Sequence, residues 1–109
     1  MGTKTEIKPS IRHRSLLAYL DLVILQMLAH RPMTGYEVNS TITKKFGVRV
    51  GPSTVYSKLS NMERKGWIRT VRENPGRVYT LTSQGQQKAD NIKGISKEIQ
   101  NFVRILLPS

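Results

Sequence analysis

The sequence predicts a mainly helical fold with a small two-stranded β hairpin, called the wing below, and a long C-terminal helix. Three observations support this prediction. Apolar residues recur at helical spacing in three segments before Gly66, two short alternating segments flank the turn Asn74-Pro75-Gly76, and an apolar heptad pattern occupies the end of the chain. The resulting order of helix, helix, helix, strand, turn, strand and long helix is that of a winged helix-turn-helix.

We expect the chain to divide into three parts. These are a basic flexible N-terminal arm over residues 1–14, a winged helix-turn-helix domain over 15–82 and a C-terminal dimerisation helix over 83–109. The arm shows no apolar period and carries Lys4, Lys8, Arg12 and Arg14. From Leu16, apolar residues recur every three to four positions as far as Leu28, which predicts a helix with an apolar face wide enough to contact both its own domain and a partner chain.

The second helix is predicted over residues 34–46 because its start and its end both carry signals. Thr34 and Glu37 have the spacing of a capping box, in which each side chain accepts a hydrogen bond from the other residue's backbone amide. Gly47 can end the helix in the left-handed conformation. Tyr36, in the first turn, is expected to have a structural role.

The third helix is predicted over residues 52–65, with Pro52 at its first position, where a missing N–H costs nothing. Val55, Leu59 and Met62 form a core-facing stripe. The opposite face carries short polar side chains, which let a helix axis approach the floor of a DNA groove and offer donors and acceptors to base edges.

Two short strands, 67–71 and 78–82, are predicted on either side of the turn. The last helix then begins at Thr82 or Ser83, and Ser83 with Gln86 would form a second capping box. Apolar residues in this helix recur at spacings of 3, 4, 3 and 4, the pattern of a helix–helix seam. The predicted dimerisation residues are Ile92, Ile95, Ile99, Phe102 and Leu106.

The charge of the chain favours a polyanionic partner. Lysine and arginine number 18 against 7 acidic residues, for a net charge of +11 at pH 7, and the pI is near 10.5. Such an excess is typical of nucleic-acid binding. An anionic membrane would suit the charge but requires a basic amphipathic helix with Trp on its apolar face, whereas Trp67 precedes a predicted strand. We therefore expect no membrane partner.

Several classes of chemistry find no support in the sequence. The chain has no cysteine, which excludes disulfides, thiolate nucleophiles and Cys-based zinc sites and fits a reducing cytoplasm. His13 and His30 are isolated, and no carboxylate pair lies near either in the sequence. We predict no metal, no cofactor and no enzymatic activity. The cytoplasm, in association with the nucleoid, is the expected location.

The candidate DNA-binding residues lie in the third helix, in the turn before it and in the wing. Hydroxyl and amide side chains on the helix suit base edges. The Tyr56 ring flanks the core stripe and is expected to pack against the domain, while its hydroxyl can still reach a phosphate. Cations near the tip of the hairpin suit the backbone or the minor groove. The set is Arg49, Ser53, Thr54, Tyr56, Ser57, Lys58, Asn61 and Arg64 around the helix, with Arg72, Asn74 and Arg77 in the wing.

Four segments of the chain resemble the PadR family of transcriptional regulators. They are Arg31-Pro-Met-Thr-Gly-Tyr-Glu-Val38, Gly51-Pro-Ser-Thr-Val-Tyr-Ser-Lys-Leu59, Met62-Glu-Arg-Lys-Gly-Trp-Ile68 and Arg77-Val-Tyr-Thr-Leu-Thr-Ser-Gln-Gly85. The resemblance covers residues 16–86. It implies a winged helix-turn-helix that dimerises through the helix after the wing and represses transcription. The family's reading-helix positions correspond to Ser53, Thr54, Tyr56, Ser57 and Lys58, and its wing position to Arg77.

The chain departs from the family pattern in two places. Trp67 stands where the family commonly has leucine, and a single helix follows the wing where longer members have several. Ligand-responsive members with short C-terminal helices use aromatic residues in a pore between protomers. This helix offers only Phe102, so the sequence leaves a small-molecule effector open.

We therefore expect a homodimeric, sequence-specific regulator of transcription that binds a pseudo-palindromic double-stranded operator, with helix 52–65 in the major groove and the 72–77 wing on the backbone or minor groove. Two alternatives remain open at this point. A sequence-indifferent nucleoid or architectural protein would share the charge and the fold but bind any duplex equally well. A winged helix used for protein–protein contact would show no salt-sensitive binding to DNA.

Overall fold

The computed structural model describes residues 13–73 and 75–107. The elements follow in the order α1 (Leu20–His30), β1 (Met33–Thr34), α2 (Gly35–Phe46), α3 (Pro52–Arg64), β2 (Ile68–Arg72), β3 (Val78–Leu81) and α4 (Ser83–Leu106). Residues 13–18 are also helical and lead into α1 through a turn at Tyr19. The predicted fold class, mainly helical with a small β wing and a long last helix, is confirmed.

Most of the predicted arm lies outside the described residues, namely positions 1–12. Positions 13 and 14 belong to the helical segment before α1. No helix in the described part of the chain is both long enough and apolar enough to cross a bilayer.

The start of α2 confirms the predicted capping box. The Glu37 amide donates to the Thr34 hydroxyl oxygen at 3.1 Å, and the Thr34 amide donates to Glu37 Oε1 at 2.9 Å. The Thr34 amide is the main cause that lowers the pKa of Glu37, so the carboxylate remains ionised. At the other end, Gly47 adopts φ 65° and donates to the Thr43 carbonyl.

The sheet has three strands rather than the two predicted. Met33 and Thr34 form a short edge strand that pairs antiparallel with β3, opposite Tyr79 and Val78. The strand order is β1-β3-β2. A two-residue strand carries no alternation that a sequence could show. It exists because Met33 and the cap residue Thr34 lie against β3.

The core lies where α1, α2 and α3 meet the inner face of the sheet. The predicted stripe of α3 is confirmed, since Val55, Leu59 and Met62 are fully buried. Leu25 is also fully buried, although the apolar period predicted for the first helix comprises only positions 16, 17, 20, 23, 24, 27 and 28. Trp67 packs against this core and is only partly buried.

The predicted second capping box, formed by Ser83 and Gln86 at the start of α4, is wrong. The N-cap is Thr82, whose hydroxyl accepts the Gly85 amide at 3.1 Å and donates to the Gly66 carbonyl at 2.6 Å. The Thr82 amide also donates to the Trp67 carbonyl at 3.0 Å. Because Thr82 already caps the helix, Ser83 becomes its first residue. The Gln86 side chain instead donates to Asp90.

This junction predicts opposite effects for two glycine substitutions in α4. A Cβ added at Gly85 would overlap the backbone carbonyl of Trp67, whereas one at Gly94 would meet no atom within 4 Å. Gly85→Ala is therefore expected to lower the free energy of unfolding by about 1–3 kcal/mol. Gly94→Ala should raise it by about 0.5–1 kcal/mol, because alanine favours the helix. Urea denaturation of both variants measures the difference, and a stable Gly85→Ala protein would contradict the packing described.

Candidate nucleic-acid interface

One side of α3 presents a continuous polar surface, which we call the reading face. Its members line a single shallow depression, opposite the buried stripe of the same helix. Among them, Ser53, Thr54 and Ser57 are exposed in the first half of the helix. The reading face consists of Ser53, Thr54, Ser57, Lys58, Asn61 and Arg64, all six of them predicted from the sequence.

Arg49 and Tyr56 flank the reading face. Arg49 is exposed in the turn that enters α3, beside the buried Val50. Tyr56 is 44% exposed, and its ring lies against the α-carbon of Gly35 at the start of α2, where any Cβ would overlap it. The tyrosine therefore joins the first turns of α2 and α3 and keeps part of its ring in solvent.

Tyr36 requires a correction. A structural role is expected from the sequence, yet the side chain of Tyr36 is 75% exposed in the first turn of α2. The reason is that α2 buries Gly35, Val38 and Ile42, a stripe that leaves position 36 on the outer side of the helix.

The wing carries its cations on a second open surface. This surface is lined by Arg69, Arg72 and Arg77 together with Glu63, Thr70, Val71 and Glu73. Arg69 and Arg72 are exposed. A bulge interrupts the pairing of β2 with β3 between Thr70 and Arg72. Asn74, a predicted contact, lies outside the described residues.

Arg77 has acidic neighbours in the free protein. Its Nη1 atom lies 3.6 Å from Glu63 Oε1 on α3, and its Nε atom lies 3.5 Å from Glu73 Oε1 on the wing. Interaction with Tyr79, followed by the charge of Glu63, raises the pKa of Arg77 above its ordinary value. The side chain remains 49% exposed.

Trp67 is covered by cations rather than presented for stacking. The Nζ atoms of Lys65 and Lys88 each lie 4.7 Å from the centre of its ring. Cation–π contacts of this kind add about 0.5–1 kcal/mol at exposed sites. They join the end of α3 to α4 around the same junction that Thr82 and Gly85 form.

The far half of α4 exposes a strongly apolar surface. Ile95, Ile99, Phe102 and Leu106, four of the five predicted dimerisation residues, are all exposed in the isolated chain, and Phe102 is 65% exposed. Ile92, the fifth, is partly buried against the protomer's own core. Leu107 extends the apolar surface beyond the end of the helix. Large apolar patches on one side of a helix are typical of protein–protein contact.

No group of three or more histidine, cysteine, aspartate or glutamate side chains within the described ranges is placed to hold a metal ion. The chemistry that the two surfaces offer is hydrogen bonding and charge.

Comparison with known proteins agrees with this geometry. Residues 24–91 match the model of the transcriptional regulator PadR-like family. Over 67 residues the chain is 33% identical to an uncharacterized 37.1 kDa protein in a transposon of Streptomyces fradiae, a match that covers 61% of this chain and 19% of that protein. The chain thus spans about a fifth of the length of this curated relative.

Two solved structures illustrate the likeness of the fold. A PadR family transcription regulator from Clostridium difficile superposes with a TM-score of 0.67 at 23% identity, over 81% of this chain and 97% of that one. Bacillus subtilis PadR in complex with operator DNA gives a TM-score of 0.56 at 26% identity, over 66% of this chain and 45% of that one.

Proposed function

Because the chain belongs to the PadR-like family of transcriptional regulators, we propose that it is a homodimeric, sequence-specific repressor that binds double-stranded DNA and has no enzymatic activity. The observation that carries the proposal is the reading face on α3, where Ser53, Thr54 and Ser57 are exposed, together with the exposed cations of the wing. The operator complex of Bacillus subtilis PadR supports DNA as the ligand. The site of action would be the chromosome, in the cytoplasm.

The residues divide into two roles. Ser53, Ser57 and Asn61 carry donors and acceptors that fit base edges in the major groove. Cations and the remaining hydroxyls suit phosphate oxygens, which fix register and orientation without reading sequence. The phosphate contacts are Arg49, Thr54, Tyr56, Lys58 and Arg64 around α3, with Arg72, Asn74 and Arg77 in the wing.

The dimer would form through the apolar surface of α4, assisted by the helix before β1. These apolar side chains are exposed in a single chain. In the proposed dimer a second copy of the chain would cover them. Two-fold symmetry then requires an operator with two related halves, separated by one helical turn of about 34 Å or a multiple of it.

The division into two roles predicts different consequences for Ser57→Ala and Arg77→Ala. Loss of a base contact should reduce the preference for a selected duplex over a scrambled one by about 1–3 kcal/mol. Loss of a phosphate contact should weaken both duplexes by the same factor. Fluorescence anisotropy with labelled duplexes measures the affinity of each variant for the selected and the scrambled duplex, and the ratio of the two affinities gives the preference.

Ser96→Ala, the same change on α4 away from the reading face, is the matched control and should alter neither affinity. If Arg77→Ala changes the preference between duplexes while Ser57→Ala leaves it unchanged, the assignment of the two roles is wrong.

A further inference from the structure

We propose that Glu63 is a positioning residue that holds the wing in its working place against the reading helix α3. The inference rests on the proposed function, since it concerns how Arg77 is presented to DNA. Glu63 lies at the end of α3 between Asn61 and Arg64 of the reading face, and no pattern in the sequence predicts a role for it.

The carboxylate of Glu63 connects α3 to both sides of the wing. Its Oε2 atom accepts a hydrogen bond from the Thr70 hydroxyl on β2 at 2.9 Å, and its Oε1 atom lies 3.6 Å from Nη1 of Arg77, the residue immediately before β3. One oxygen therefore contacts β2, and the other contacts the residue that leads into β3. Only 31% of the Glu63 side chain is exposed, so these contacts are partly shielded from solvent.

A carboxylate at position 63 is electrostatically unfavourable, so it requires favourable contacts that offset this cost. The last turn of a helix carries partial negative charge, which disfavours a carboxylate there. A surface that approaches DNA disfavours it again, because phosphates repel it. The neighbouring charges in the last turn and at the cap of α3 are cations, Arg64 and Lys65. The contacts with Thr70 and Arg77 offset this electrostatic cost. They also fix the direction in which the wing leaves the body of the domain.

The bulge lies immediately after the residue that Glu63 binds. Thr70 pairs with Tyr79 and Arg72 with Val78, so Val71 is the extra residue. A bulge bends a strand and increases its twist. Thr70 therefore anchors β2 at the last regular position before the strand changes direction, which is where a contact with α3 controls the wing most strongly.

The pairing leaves Arg77 available to DNA. Its distances to the two carboxylates, 3.5 and 3.6 Å, are longer than those of strong charge-assisted hydrogen bonds. A guanidinium has five N–H donors in a rigid fork, so it can keep Glu63 as a partner while it donates to a phosphate. Glu63 thus orients the Arg77 guanidinium and leaves it able to bind a phosphate.

Glu73 provides the contrast. It lies on the wing beside Arg77, 70% of its side chain is exposed, and its contact is with a residue of the same hairpin. It cannot fix the wing against α3. Its charge only competes with phosphate for Arg77 and repels the duplex.

The test compares two substitutions that make the same change of charge. In anisotropy titrations with a labelled mixed-sequence duplex of about 30 base pairs, Glu63→Gln should weaken binding about 3- to 10-fold, because it loses the attraction to Arg77. Glu73→Gln should tighten binding about 2- to 5-fold, because it removes repulsion without releasing the wing. If charge alone mattered, both variants would bind more tightly.

Substitution of Thr70 tests the same anchor without any change of charge. Thr70→Val should weaken binding in the manner of Glu63→Gln, and Thr70→Ser, which keeps the hydroxyl, should bind like the wild-type protein. In an Arg77→Ala background, Glu63→Gln should no longer weaken binding, because the cation it aims is gone. A general loss of structure would persist in that background, so the cycle separates positioning from folding.

Each outcome bears on a different claim. Tighter binding by Glu63→Gln, or unchanged binding by Thr70→Val, overturns the positioning role while leaving DNA binding in place. Failure of the wild-type protein to bind the duplex in a salt-sensitive way overturns the proposed function itself, and the inference with it.

Discussion

Replacement of Ile99 by aspartate is expected to convert the protein to monomers and to weaken operator binding by roughly 10²- to 10⁴-fold. Ile99 lies in the middle of the exposed apolar surface of α4, so an aspartate there would place an unpaired charge in the proposed dimer interface. A monomer can occupy only one half-site, and it loses the gain in effective concentration that links the second binding event to the first. Analytical ultracentrifugation and anisotropy titrations on the same samples measure both losses.

Gln100→Asp is the matched control for this prediction. It adds the same charge to the same helix one residue later, at an exposed position outside the apolar seam. It should leave the dimer intact and reduce affinity only through its charge. A dimeric Ile99→Asp protein with normal operator affinity would show that α4 is not the interface.

A steep response to salt is the second large effect expected. If a dimer neutralises about 6–10 phosphates, its affinity for duplex DNA should fall roughly 10³- to 10⁵-fold between about 50 and 200 mM salt, because each contact releases condensed counterions. The reading face, its flanks and the wing together offer enough cations, with Arg49, Lys58, Arg64, Arg72 and Arg77 in each protomer.

A single substitution shows how much one phosphate contact contributes to the salt dependence of binding. Arg72→Ala in both protomers should reduce the slope of log affinity against log salt by about 1–2 units, one phosphate contact per protomer. Titrations at several salt concentrations give the slope directly. A flat response would favour a winged helix used for protein contact instead.

The parts of the fold that sequence can predict are those specified by local chemistry. The capping box of Thr34 and Glu37 and the left-handed Gly47 involve residues within a few positions of one another, and their geometry follows from side-chain reach. The buried stripe of α3 follows from helical periodicity alone. The family resemblance rests on the same local segments and is confirmed by the match over residues 24–91.

The parts that sequence could not predict depend on contacts between elements. The short strand β1 exists only because Met33 and Thr34 lie against β3. Thr82, rather than Ser83, caps α4 because its hydroxyl also reaches the Gly66 carbonyl, sixteen residues away. In each case the deciding partner is distant in the sequence.

The candidate site also has features that the sequence can predict and features that it cannot. Periodicity places the polar residues of α3 on one face, as the structure has them. Periodicity cannot show that Glu63 contacts Thr70 and Arg77, since the contact requires the wing to fold back on α3. Periodicity does predict the exposure of Tyr36, because the apolar stripe of Val38 and Ile42 leaves position 36 on the outer side of α2.

The most direct test of the account is a selection of duplexes from a random pool by the wild-type protein at physiological salt, followed by sequencing. We expect enrichment of one pseudo-palindromic site whose halves lie about 34 Å apart, or a multiple of that distance. A pool that remains random after repeated rounds, or an enriched site without two-fold symmetry, would contradict it.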